Sequence, residues 1–217
     1  MSLTERLRES SEDVWRAILE HPFVVSLYRG DLPLEKFKGY LLQDYNYLVG
    51  FARALALAAA RAPDVASMKA MLELAHGELT GEMANYESLL RELGLTLEDA
   101  IRTRPNPTNV AYMSYLSSVC SLGSFAQCLS ALLPCFWTYE AIAERHAGLL
   151  ASNPVPLYKR WASVYLSSEY KALVRRLREL LESLSPRLEE VAGPFRTASV
   201  YELMFWEAAH SGESWPA

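Results

Sequence analysis

The chain has 217 residues, 51% hydrophobic and 22% charged, enough for one globular domain, 1–217, with a sizeable core and an internal pocket. A formal net charge of -5, with the 21 Lys and Arg residues scattered along the chain, leaves no basic stripe for a nucleic acid. The polar start MSLTERLRESSEDVW, and the lack of an apolar run near the ~20 residues a bilayer requires, point to a soluble cytoplasmic protein.

Apolar residues recur at helical spacing from Leu7, Val14, Trp15, Ile18 and Leu19 through to Leu173, Leu177, Leu181, Leu184 and Leu188, and strand-like alternation is not sustained anywhere. Breakers fall at His21-Pro22, Pro33, Pro63, Arg104-Pro105-Asn106-Pro107, Asn153-Pro154-Val155-Pro156, Pro186 and Gly193-Pro194. The predicted helices are 3–20, 34–61, 65–92, 108–121, 124–149, 156–166, 168–184 and 195–210. Short connections between long apolar helices imply an all-α, multi-helix bundle whose ligand site is built from facing side chains.

In the second predicted helix Tyr40, Asp44, Tyr47 and Phe51 stand at i, i+4, i+7 and i+11, so a carboxylate shares a face with three aromatics. Spacing alone leaves open whether Asp44 turns inward or sits at a solvated edge. Three cysteines, Cys120, Cys128 and Cys135, are an odd number with no Cys-x-x-Cys pair, which argues against both a disulfide framework and a thiolate zinc site. Cys120 and Cys128 read as small core residues. Cys135 directly follows a mid-helix proline, Pro134, whose ring opposes the Ser130 carbonyl and predicts a kink there. Tyr139, one turn later on the same face, is placed for its hydroxyl to reach the thiol or something bound to it. Cys135 is therefore either an inert core thiol or a reactive one.

Near the C-terminus Glu202 lies one turn before Trp206 and beside Phe205. Desolvation by such rings raises a carboxyl pKa into the range of a proton donor at neutral pH; the alternative is a carboxylate pairing at the start of its helix. Tyr112 and Tyr165 are further candidates among twelve tyrosines. Glu73-x-x-His76 and Glu207-x-x-His210 form two Glu-x-x-His pairs of the di-iron bundle kind. That arrangement needs two more inward glutamates, which Glu20, Glu140 or Glu144 would have to supply without confirming spacing.

The stretches His21-Pro22-Phe23-Val24, QDYNYL around Asp44, Pro105 to Thr108 leading to Tyr112, LLPCFWTYE around Cys135, YKRWASVY ending at Tyr165 and YELMFWE around Glu202 together resemble the TenA family, also called thiaminase II or aminopyrimidine aminohydrolase. The resemblance, to the cysteine-containing type, spans nearly the whole chain. It implies a heme-oxygenase-like helical bundle, a homotetramer, and neither heme nor metal as cofactor. It implies hydrolysis of an amine or thiazolium from a 4-amino-2-methylpyrimidine. By motif position Cys135 would be the nucleophile, Glu202 would exchange a proton with a ring nitrogen, and Asp44 would bind the ring's amidine edge. Tyr47, Tyr112, Tyr139 and Tyr165 would stack on the ring or hydrogen-bond around the thiol and carboxylates. The competing readings are a di-iron oxidase on the same bundle and a non-catalytic pyrimidine-binding or regulatory protein.

Overall fold

The computed structural model describes residues 1–216; Ala217, the last residue of the expected domain, lies outside the described residues. Among these residues the regular structure is entirely helical: α1 Leu3–Ser10, α2 Glu12–Leu19, α3 Pro22–Arg29, α4 Leu34–Arg61, α5 Val65–Gly77, a π turn Glu78–Glu82, α6 Met83–Glu92, α7 Leu97–Arg102, α8 Pro107–Leu122, α9 Phe125–Arg145, α10 Ala147–Ser152, α11 Pro156–Ser163, a 3-10 turn Val164–Leu166, α12 Ser168–Ser183 and α13 Leu188–Ser211. No helix is long and apolar enough to cross a membrane.

The predicted α4 agrees with the observed span. Elsewhere the differences have local causes. The first predicted helix is two, broken at Ser11, whose φ/ψ of -119°/17° leaves the helical region. His21-Pro22 ends α2 and also starts α3, which the sequence reading missed: Pro22 sits at the first helical position and His21 Nδ1 accepts from the Phe23 amide at 3.2 Å. The Thr96–Asp99 capping box starts α7, likewise unpredicted. The segment 65–92 is helical throughout but carries the π turn at 78–82.

Gly193-Pro194 does not stop a helix. Helix α13 begins at Leu188 and carries Pro194 inside it. Proline has no amide to offer the carbonyl four residues back, at Glu190, and Gln127 Nε2 donates to that carbonyl at 3.2 Å instead. A side chain on α9 thus lets a helix continue through a residue that ordinarily ends one. Helix α9 also runs unbroken through Pro134.

Helix α13 packs on α9 and is flanked by α2, α8, α1, α3 and α4. Its buried face, Phe195, Ala198, Ser199, Glu202, Phe205 and Trp206, follows helical spacing. The interior where α13 meets α3 and α4 is aromatic: Tyr40 stacks on Trp206 with centroids 5.5 Å apart and planes at 12°, and Phe23 lies 5.6 Å from Trp206. Gly50 of α4 permits close approach to α8, because a Cβ there would run into the Met113 side chain. Cys120 and Cys128 are fully buried between α8 and α9, matching their reading as core thiols.

Candidate active site

A cavity of about 700 Å³ is lined by residues of α4, α5, the π turn, α9, the 3-10 turn and α12. Of the sequence-predicted residues, Asp44, Tyr47, Cys135, Tyr139 and Tyr165 all line it. Tyr112 and Glu202 do not; they lie behind the lining, with Glu202 only 3% exposed.

Glu202 sits in the middle of α13, not at its start, so the helix-start pairing is excluded. The Tyr112 hydroxyl donates to Glu202 Oε1 at 2.7 Å. The hydroxyls of Tyr47 and Thr138 are buried without a well-formed hydrogen bond, and both stand near enough to the carboxylate to lower its pKa. Burial works the other way and dominates, raising Glu202 to about 7. The position is balanced between acid and base at neutral pH.

Cys135 is half-buried and faces the cavity from α9. Burial first, and then the charge of Glu202, hold its thiol well above the ordinary range. The nearby Tyr47 hydroxyl opposes this, favouring the thiolate. The thiol and Glu202 therefore titrate against each other: a neutral Glu202 makes a thiolate easier to form.

Of the two expectations for Tyr139, the structure disfavours direct contact with the thiol and leaves contact with a bound molecule open. Tyr139 does not direct its hydroxyl to the thiol but pairs with the Tyr40 hydroxyl at 3.1 Å. Its ring lies 4.9 Å from that of Tyr165, so these residues build an aromatic wall. Tyr47, on α4, takes the place beside the sulfur; its ring packs between Phe51, Tyr112 and Phe205 at 5.2–5.5 Å.

Asp44 is 9% exposed, so the solvated-edge reading fails. It makes no hydrogen bond or ion pair with any described residue, and its pKa is raised well above the ordinary value by burial first, then by Glu82, Glu78 and Glu202. Glu78 and Glu82 are the residues that the sequence reading missed, together with the lining Tyr170.

The Glu-x-x-His pairs do not converge. Glu207 bonds His21 Nε2 at 3.1 Å, His210 Nδ1 meets Lys36 Nζ at 3.3 Å, and Glu73 pairs with Lys69 and Arg176. Among the described residues no three His, Cys, Asp or Glu side chains are gathered as a metal would require.

A family model described as TENA/THI-4/PQQC matches residues 8–212. The chain belongs to this family. A relative named aminopyrimidine aminohydrolase, from Halalkalibacterium halodurans, is 31% identical, the alignment covering 99% of this chain and 98% of that one. Among solved structures, a TenA homologue from P. horikoshii OT3 superposes with a TM-score of 0.94 at 48% identity, covering 98% of this chain and 100% of that one. A domain with a heme oxygenase-like fold from Shewanella denitrificans, 18% identical, superposes with a TM-score of 0.80 over 98% and 93% of the two chains. That last likeness concerns the fold alone, and the fold is the heme-oxygenase-like helical bundle.

Proposed function

We propose that this family member is a hydrolase of thiamine salvage that releases 4-amino-5-hydroxymethyl-2-methylpyrimidine from an aminomethylpyrimidine or from thiamine, with Cys135 as nucleophile. The observation that carries the reading is the meeting of a thiol and a near-neutral carboxyl, Cys135 and Glu202, at one side of an aromatic cavity that also holds a buried carboxyl, Asp44.

A planar aminopyrimidine fits between aromatic walls such as Tyr139 and Tyr165, which gain from stacking. Asp44, with its raised pKa, meets the amidine edge: the amino group donates to one carboxyl oxygen, and a proton is shared between the other and the adjacent ring nitrogen. The thiol then adds across a ring C=N bond, carbon taking the sulfur while the proton passes through Glu202 to a ring nitrogen. Tyr47 and Tyr112 hold these two groups in place. The electron pair of the dearomatised ring expels the leaving group, which departs from the exocyclic methylene with the electrons of its C–N bond. Water supplies oxygen to that methylene and gives up a proton, and loss of the thiol restores the aromatic ring.

In this reading residues 1–217 act as one domain in the cytoplasm, on a small molecule and with no nucleic acid. The protein assembles as a homotetramer. Val65, Met68 and Leu72 form an exposed apolar row on α5, with Val65 81% exposed, and such a row favours assembly. The test is chromatographic detection of the hydroxymethylpyrimidine after incubation with each substrate, with and without EDTA. Turnover unaffected by the chelator is expected. Loss of turnover after chelation, or none at the outset, overturns the reading.

A further inference from the structure

The chemistry placed at Cys135 and Glu202 accounts for the ring but leaves two cavity carboxylates without work. Glu78 and Glu82 occupy the two ends of the π turn. Both line the cavity, and neither makes an ion pair or a side-chain hydrogen bond with any described residue. The basic side chain that lines the same cavity, Arg176, is paired with Glu73 at 3.8 Å. Asp44, unpartnered and nine-tenths buried, turns into this space as well.

Three carboxylates facing one partly desolvated cavity repel each other and lose hydration, which disfavours the fold unless a cation offsets them. Burial and Glu82 raise Glu78 to about 8, and burial raises Glu82 too. Their arrangement is too open for a metal ion, because no three acidic or metal-binding side chains converge. It suits a larger organic cation with its charge spread over, or carried at the end of, a side arm. Glu78 and Glu82 stand four residues apart and line the cavity from a π turn, and such insertions in helices recur at binding sites.

Given the pyrimidine hydrolase reading, on which this rests, we propose that Glu78 and Glu82 are the leaving-group subsite and select substrates whose leaving group is cationic, a primary ammonium or a quaternary heteroaromatic nitrogen on the methylene beside the ring. A bound cation favours the ionised form of both groups, and the two carboxylates then hold that charge until the C–N bond breaks. After it breaks, the leaving group is neutral, their hold is lost, and departure is favoured. The hydroxymethyl product, which is neutral, does not need them. The subsite therefore discriminates substrate from product.

The test is isothermal titration near pH 7 in a Cys135→Ser background. The ligands are the aminomethylpyrimidine, thiamine and the neutral 4-amino-5-hydroxymethyl-2-methylpyrimidine, each checked intact afterwards. Adding Glu78→Gln and Glu82→Gln together is expected to weaken both cations at least about tenfold, the size of one lost charge-assisted contact, and to leave the alcohol within about twofold. Glu82→Asp, which keeps the charge, should retain most of the preference for cations. Parallel weakening of all three ligands, or no change in any, overturns the subsite. If the parent protein binds none of the three, the pyrimidine reading itself fails, and the subsite falls with it.

Discussion

The cavity has two walls built on opposite principles. Where α4, α9 and α13 meet, polar groups are enclosed and cross-connected: Tyr112 bonds Glu202, Tyr40 bonds Tyr139, and Tyr47 stands beside the thiol. The π turn presents Glu78 and Glu82 to the same cavity with no side-chain partner from the described residues. A connected set of polar groups fixes positions and tunes proton affinity, as a catalytic pair requires. An unsatisfied pair of carboxylates stores unfavourable electrostatics that a cation relieves. The first wall suits bond making, the second recognition of charge.

Altering Glu202 gives the sharpest contrast between the walls. Glu202→Gln removes the proton exchange at a group poised at about 7, and the rate of pyrimidine release should fall about 10² to 10⁴-fold with ligand binding largely kept. Single-turnover kinetics beside equilibrium binding check this. A loss of binding with an unchanged chemical step would move Glu202 out of the proton-transfer role.

Tyr112→Phe is expected to act more mildly. The hydroxyl lowers the Glu202 pKa, so its removal should shift the alkaline limb of the rate profile to higher pH and slow the reaction by roughly tenfold at most, the weight of one hydrogen bond to a charged group. A downward shift of that limb contradicts the account.

Stability should follow the same groups. Glu202 has a folded pKa of about 7 against an ordinary 4.5, so between those values the folded chain binds the proton more tightly than the unfolded chain. Stability is therefore full below pH 4.5 as far as this group is concerned, falls as the pH rises to about 7, and is level above. Glu78, raised to about 8, carries the decline about one unit further. Thermal melting from pH 5 to pH 9 should show a falling Tm that is flatter in Glu202→Gln and in Glu78→Gln. A parent Tm that rises over this range would show that the carboxyls are not held protonated.

Gly50→Ala probes the scaffold rather than either wall. Its new methyl would collide with Met113, and overpacking of this kind costs about 1–3 kcal/mol. A lower denaturant midpoint with an unchanged pH profile is expected. An altered pH profile would mean that the α4–α8 approach also sets the Tyr112–Glu202 geometry.

What the sequence revealed follows the same division. Tyr40, Asp44, Tyr47 and Phe51 were legible as a face because their spacing obeys one regular helix, and all four are buried. Glu202 was legible through its aromatic neighbours along the chain. Glu78 and Glu82 were not: their spacing is that of a regular helix, but no adjacent aromatic distinguishes them from solvated glutamates, and only packing turns them to the cavity. The hydroxyl nearest the thiol was not legible either. Helical spacing points to Tyr139, within α9, whereas the hydroxyl beside the sulfur is Tyr47 on α4, and neighbours across helices are set by packing. Pro194 was read as a stop because the compensating donor, Gln127, lies on another helix.

The central claim is that Cys135 forms a covalent adduct with the pyrimidine, and the direct test is release of 4-amino-5-hydroxymethyl-2-methylpyrimidine from the aminomethylpyrimidine and from thiamine by the parent protein and by Cys135→Ser. The account predicts turnover by the parent and a loss of at least about a hundredfold in the variant, as expected for removal of a nucleophile. A variant that kept the full rate would contradict it.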